Sequence, residues 1–97
     1  METLMKVGTF TKQPAERISN SIVYTDALDE GDEITSVESC TATPEDLEVS
    51  PVLVSTDRVR IWSQGGTNGM VYQISLTVRT AGGEILQDEL ICKVREI

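Results

Sequence analysis

The 97 residues carry 16 acidic and 8 basic side chains and no histidine, for a formal net charge of -8. A chain of this size fits one domain, residues 1–97, with one modest core that needs neither metal nor disulfide, since such staples become the rule only below about 40 residues. The acidic balance argues against unaided nucleic-acid binding and against adhesion to an anionic membrane, and the missing histidine removes Ser–His and Cys–His dyads and the usual zinc sites.

The chain opens on "METLMKVGTF", which lacks the charged-then-apolar pattern of a signal peptide, and no later run approaches the roughly 20 apolar residues of a membrane span. The expectation is a soluble chain made in the cytoplasm. Leu4 to Phe10 reads as a first strand and "RISNSIVY", Arg17 to Tyr24, as a second, with Pro14 interrupting between them. "TDALDEGDE" is a polar crossing with room for one helical turn behind Thr25 or Asp26. Asp26, Asp29, Glu30, Asp32 and Glu33 crowd within it, and because calcium takes six to eight oxygens they are weak candidates for a calcium site. Their spacing does not match an EF-hand, and solvated loop carboxylates are the plainer reading.

"ITSVESCTAT", Ile34 to Thr43, is rich in Thr and Val and reads as a strand in which Ile34 and Val37 fall out of phase, a mismatch that a β-bulge repairs. "TPEDLE" makes a turn or one helical turn, and "VSPVLVS" a short strand that Pro51 pushes towards an edge. In "DRVRIWS" period-two geometry sets Val59 and Ile61 on one face and Arg58, Arg60 and Trp62 on the other. Trp and Arg are the residues most enriched at binding hot spots, which makes these three interface candidates. The competing reading folds Trp62 over the sandwich end as a cap on the core.

"SQGGTNGMVYQISLTVRT", Ser63 to Thr80, sets three glycines directly ahead of the cleanest alternation in the chain. A phosphate cradle needs a helix behind it, and Met70 to Thr80 alternates with period two instead. The glycines read as a wide turn, and Tyr72 as a corner tyrosine whose hydroxyl returns to a backbone group upstream, with Gly69 in the turn before it. "TAGGE" reverses the chain into a last strand from Ile85 to Val94, with Leu90, Cys92 and Val94 inward. Seven short strands at this spacing predict an all-β, immunoglobulin-like sandwich of about seven antiparallel strands. Cys40 and Cys92 could pair, but without a signal peptide two free, half-buried thiols are the plainer reading, and Ile74, two residues after Tyr72 where antibody domains carry their second cysteine, indicates a sandwich with no inter-sheet disulfide. Cys92 follows an inward alternation, the pattern of an inert thiol, so the sequence supplies no catalytic residue and calls for no cofactor.

"FTKQPAERIS", "LDEGDEITSV", "GGTNGMVY" and "RTAGGEI" together resemble a family of small tailed-bacteriophage structural proteins, the fibre-tail adaptors or virion-associated immunoglobulin-like proteins. The resemblance runs over nearly the whole chain, on Lys12, Pro14, Glu16, Arg17, Gly31, Asp32, Ile34, Gly65, Gly66, Gly69, Tyr72, Thr80 and Gly83. It implies a non-enzymatic phage or prophage virion component, made in the host cytoplasm, whose partners are other virion proteins or further copies of itself, and neither nucleic acid nor membrane. The alternative is a free-standing module that recognises surface glycans or calcium.

Overall fold

The computed structural model of the chain describes residues 5–25 and 27–96, so Leu4 of the expected first strand and Asp26 of the acidic loop lie outside the described residues. Seven strands form: β1 (Met5–Lys12), β2 (Arg17–Val23), β3 (Ile34–Thr43), β4 (Leu47–Ser55), β5 (Arg58–Gly65), β6 (Val71–Thr80) and β7 (Ile85–Val94). They make a four-stranded sheet in the order β1-β7-β6-β3 and a three-stranded sheet in the order β2-β5-β4. The described residues contain no helix; after β2 the Tyr24 carbonyl accepts from the N–H groups of both Ala27 and Leu28, which makes a single turn.

Alternation explains which face each strand buries. Tyr72, Ile74, Leu76 and Val78 of β6 are fully buried, and Leu90, Cys92 and Val94 of β7 join them from the neighbouring strand. From the other sheet Ile22, Leu47, Val59 and Ile61 close the same core, which makes the molecule a two-sheet sandwich. Each such aliphatic side chain contributes about 1.5–3 kcal/mol on burial, whereas a disulfide typically adds about 2–4 kcal/mol. Ile74 therefore stabilises the sheet-to-sheet contact on the scale of a cystine, and both Cys40 and Cys92 are free.

Two strands needed correction to keep their faces. In β3 the register against β6 slips between Ile34 and Ser36 and again between Val37 and Ser39. These slips set Ile34 into the core with Val37 and Cys40 packed against it, as a bulge was expected to do. The strand β4 begins at Leu47, earlier than the sequence pattern indicates, because Leu47 is itself a core residue. Its turn from β3 contains a cis Thr43–Pro44 peptide.

The expectation of antiparallel strands throughout is corrected at β1, which runs parallel to β7, with Thr9 opposite Ile91 and Lys12 opposite Val94. The two strands are the first and last of the fold and share no hairpin, so no short connection forces them antiparallel. Lys12 ends β1 almost fully buried, and its ammonium donates to the carbonyls of Gln13 at 2.7 Å and Gly65 at 2.5 Å, and more loosely to that of Pro14. Those carbonyl acceptors are what allow a lysine to sit there.

The connections gather at two ends. The β1–β2, β3–β4 and β5–β6 links lie at one end, and the β2–β3, β4–β5 and β6–β7 links at the other. Gly66, in the β5–β6 loop, has φ +91°, and a Cβ there would stand 2.9 Å from Val94 Cγ2 and 3.4 Å from Tyr72 Cε1. Gly69 has a similar φ of +89° but open space around it. Replacing Gly69 by Ala is expected to cost the ~1–2 kcal/mol of a left-handed residue. Gly66→Ala adds crowding against three buried side chains, Val94, Leu47 at 3.3 Å and Tyr72, and is expected to cost on the order of 2–4 kcal/mol. Differential scanning calorimetry of the two variants checks the ranking, and equal melting temperatures would contradict it.

Candidate functional site

At the glycine-loop end, Tyr72 points its hydroxyl back out of the core. The hydroxyl accepts from the backbone N–H of Thr67 at 2.8 Å and donates to Asp46 Oδ2 at 2.8 Å. Thr67 Oγ1 donates to the same Asp46 oxygen at 2.7 Å. The Thr67 hydroxyl, and then that of Tyr72, hold the Asp46 carboxyl below its ordinary range. Gly69 N–H donates to the Val94 carbonyl at 2.8 Å and Asn68 Oδ1 accepts from Glu96 N–H, so the loop is fastened to the end of β7 as well. Three stretches of chain thus meet on one phenol, an arrangement that braces the fold and leaves no open cradle.

The opposite end is acidic and similarly occupied. Asp32 Oδ1 accepts from the N–H groups of Glu33 and Gly82, both at 2.9 Å, which ties the β2–β3 loop to the β6–β7 turn. Glu33 N–H is the main influence that lowers the Asp32 carboxyl, partial desolvation opposes it, and the Thr80 hydroxyl and Gly82 N–H add to it. Asp57, in the β4–β5 turn, accepts from the hydroxyls of Thr25 and Ser55. Among the described residues no three of Asp, Glu and Cys converge in a way that could hold a metal ion; of the calcium candidates, Asp29, Glu30, Asp32 and Glu33 are described and Asp26 is not.

The core holds three further ionisable groups. Tyr24, buried just beyond β2, meets no partner at good hydrogen-bond geometry, yet burial first and the nearby Asp88 carboxylate second push its phenol upward. Burial pushes the Cys40 thiol up to about 11 and raises that of Cys92, where the Lys12 charge opposes the effect. Both thiols stay protonated, and hence weakly nucleophilic, at neutral pH.

The two outer sheet faces differ. On the four-stranded sheet two cross-strand pairs form: Arg79 pairs with Glu38 at 3.3 Å and Gln73 bonds Glu89. On the three-stranded sheet the outward positions of β5 are Arg58, Arg60, Trp62 and Gln64, while Val59, Ile61 and Ser63 between them are buried. Trp62 lies opposite the small residues Ser19 of β2 and Ser50 of β4 and is partly buried. The Arg17 guanidinium stands 4.1 Å from the ring centroid and that of Arg60 5.9 Å. Such contacts are worth about 0.5–1 kcal/mol at exposed sites, a small share of the fold's stability. The sequence pattern brought Arg58, Arg60 and Trp62 to one face; Arg17 joins them from the diagonal position on β2, a neighbour visible only once the β2–β5 register is known.

The family profile described as podophage GP4 fiber-tail adaptor protein gp77 matches residues 12–93, from the last residue of β1 to the penultimate residue of β7. The chain belongs to this family. Membership marks this adaptor as a component of the phage virion whose contacts are with other tail and fibre proteins. No curated protein matches the chain. Six of the thirteen positions that carried the sequence resemblance fasten the two ends of the adaptor: Lys12, Gly65, Gly66 and Tyr72 at one, Asp32 and Thr80 at the other.

Removing the phenol oxygen tests the brace. Tyr72→Phe leaves the Thr67 N–H without its partner and is expected to destabilise the adaptor by about 1–3 kcal/mol, measured by urea unfolding. The Asp46 carboxyl is held below its ordinary value near pH 4, so the stability it confers is fully present above that pH and is lost as the pH falls through the lowered folded value. Asp46→Asn is therefore expected to melt below the parent at neutral pH, with the gap closing on acidification. A gap that stays constant from neutral pH to about pH 2 would mean the carboxylate is not engaged.

Proposed function

We propose that the adaptor is a non-enzymatic assembly part, a single immunoglobulin-like domain made in the host cytoplasm and built into the virion, where it joins tail or neck proteins to fibre proteins. The observation that carries this reading is the family match over residues 12–93. The strand order supports its immunoglobulin-like character: β2-β5-β4 faces β7-β6-β3, the B-E-D and G-F-C arrangement of such domains, with the first strand set beside β7. The chemistry of the fold supports a structural role, because burial drives the Tyr24 phenol and the Cys40 and Cys92 thiols towards their neutral forms and the loop carboxylates Asp32, Asp46 and Asp57 are engaged in hydrogen bonds within the fold. Docking runs through the outer face of the three-stranded sheet, where Trp62, Arg58 and Arg60 stand together.

Co-expression with the tail and fibre proteins encoded beside this chain tests the reading: all three are expected to purify as one complex, and the tail and fibre proteins to remain apart when the adaptor is omitted. Tail and fibre proteins that join equally well without it would overturn the proposal. In the same assay Trp62→Ala is expected to reduce co-assembly while costing the isolated adaptor no more than about 1 kcal/mol of stability. Unfolding of the variant would instead assign Trp62 to the core.

A further inference from the structure

The chain is strongly acidic, yet three of its five arginines, Arg17, Arg58 and Arg60, stand on one outer sheet face. The outward positions of the same three strands supply one carboxylate, Glu48, next to Gln64 at the margin. Asp57 approaches Arg58 from the adjoining turn and is already engaged by Thr25 and Ser55. Among the described residues none lies within ion-pair distance of these three guanidinium groups and none accepts a hydrogen bond from them, whereas Arg79 on the opposite face has its glutamate. A positive face on a negative molecule, with donors unspent, complements a negative partner.

The geometry around Trp62 sharpens that chemistry. An arginine over an aromatic ring engages the ring through its flat π-face, so its N–H groups, which lie in the guanidinium plane, stay free for other acceptors. The Arg17 guanidinium carbon lies 4.1 Å from the ring centroid, close enough for such a contact, and that of Arg60 lies at 5.9 Å. Carboxylates match this fork with two parallel hydrogen bonds, and the partly buried indole beside it offers the accessible part of its ring as an apolar contact. Val23 and Val52, exposed on the flanking strands opposite Arg58 and Arg60, extend the apolar share of the surface. A second copy docking face to face would bring these arginines against their own images, which like-charge repulsion disfavours.

Resting on the adaptor reading, we propose that the outer face of β2-β5-β4 receives a carboxylate-rich segment of a partner virion protein, gripped by Arg17 and Arg60 on either side of Trp62. Attraction then favours this face, while the acidic remainder of the adaptor repels the same segment and sets the direction in which it is docked.

Trp62 is the only tryptophan of the chain, so its emission reports on this face alone. Titration with poly-L-glutamate, which has no tryptophan, is expected to shift that emission saturably at low salt and to lose the effect at about 1 M salt, where screening acts within roughly 3 Å. Arg17→Glu with Arg60→Glu is expected to weaken the response at least about tenfold, the loss of one charge-assisted contact or more, while Arg79→Glu leaves it unchanged. Should the double reversal impair folding, Arg17→Gln with Arg60→Gln removes the same charges with a smaller perturbation. No shift with poly-L-glutamate, a shift that survives both double variants, or a shift produced by duplex DNA and not by poly-L-glutamate would overturn the proposal. Co-assembly separates it from the reading beneath it. If the parent adaptor fails to bridge tail and fibre proteins, the adaptor role falls; if parent and folded double variant bridge equally, the role stands and this docking face is wrong.

Discussion

The Tyr72 hydroxyl is the point on which the glycine-loop end depends. Tyr72 belongs to the four-stranded sheet, while Thr67 lies on the loop arriving from β5 and Asp46 on the turn leading into β4, both strands of the other sheet. One phenol therefore fastens the seam between the layers from outside the core, while Ile74 two residues later presses on the seam from inside. A hydrogen-bonded brace and an aliphatic core residue can share this work because each is worth one to a few kcal/mol, the scale of the missing cystine. Gly66 makes the brace geometrically possible: the loop passes so close to Tyr72 and Val94 that a methyl group has no place there.

With both ends fastened, the broad outer faces remain as the surfaces open to a partner. They have been filled differently. The face of the four-stranded sheet resolves its charges internally through the Arg79–Glu38 pair, an exposed contact of little value to stability. The other face gathers like charges around an aromatic ring and, among the described residues, leaves them without an ion pair. The arginine–tryptophan contacts add little to stability, so the arrangement matters chiefly for the charge it presents to a partner.

Local pattern made much of this legible. The apolar core positions of β5, β6 and β7 could be read from alternation because each strand buries one face only, and the register slip between Ile34 and Ser36 in β3 was implied by Ile34 and Val37 falling out of phase, whereas the second slip, between Val37 and Ser39, and the burial of Asp88 were not. The glycine cluster declared itself a turn because a strand and no helix follows it. What escaped was whatever depends on strands far apart in sequence. Nothing near β1 tells that its neighbour is β7 or that the two run parallel. Arg17 reaches Trp62, and Asp46 reaches Tyr72, across sequence gaps that only the register closes. Lys12 looks like a surface residue until the carbonyls of Gln13 and Gly65 are placed around its ammonium.

The parallel pairing of β1 with β7 also decides how the adaptor carries tension. Because the strands run the same way, Met5 and Val94 leave the sandwich at opposite ends. Traction that draws those two points apart runs along both strands and strains the whole ladder from Met5–Asp88 to Lys12–Val94 in shear, so many hydrogen bonds must yield together. A hairpin in the same place would peel open from one end, bond by bond. Load applied at those two points is thus spread over one long seam of the larger sheet.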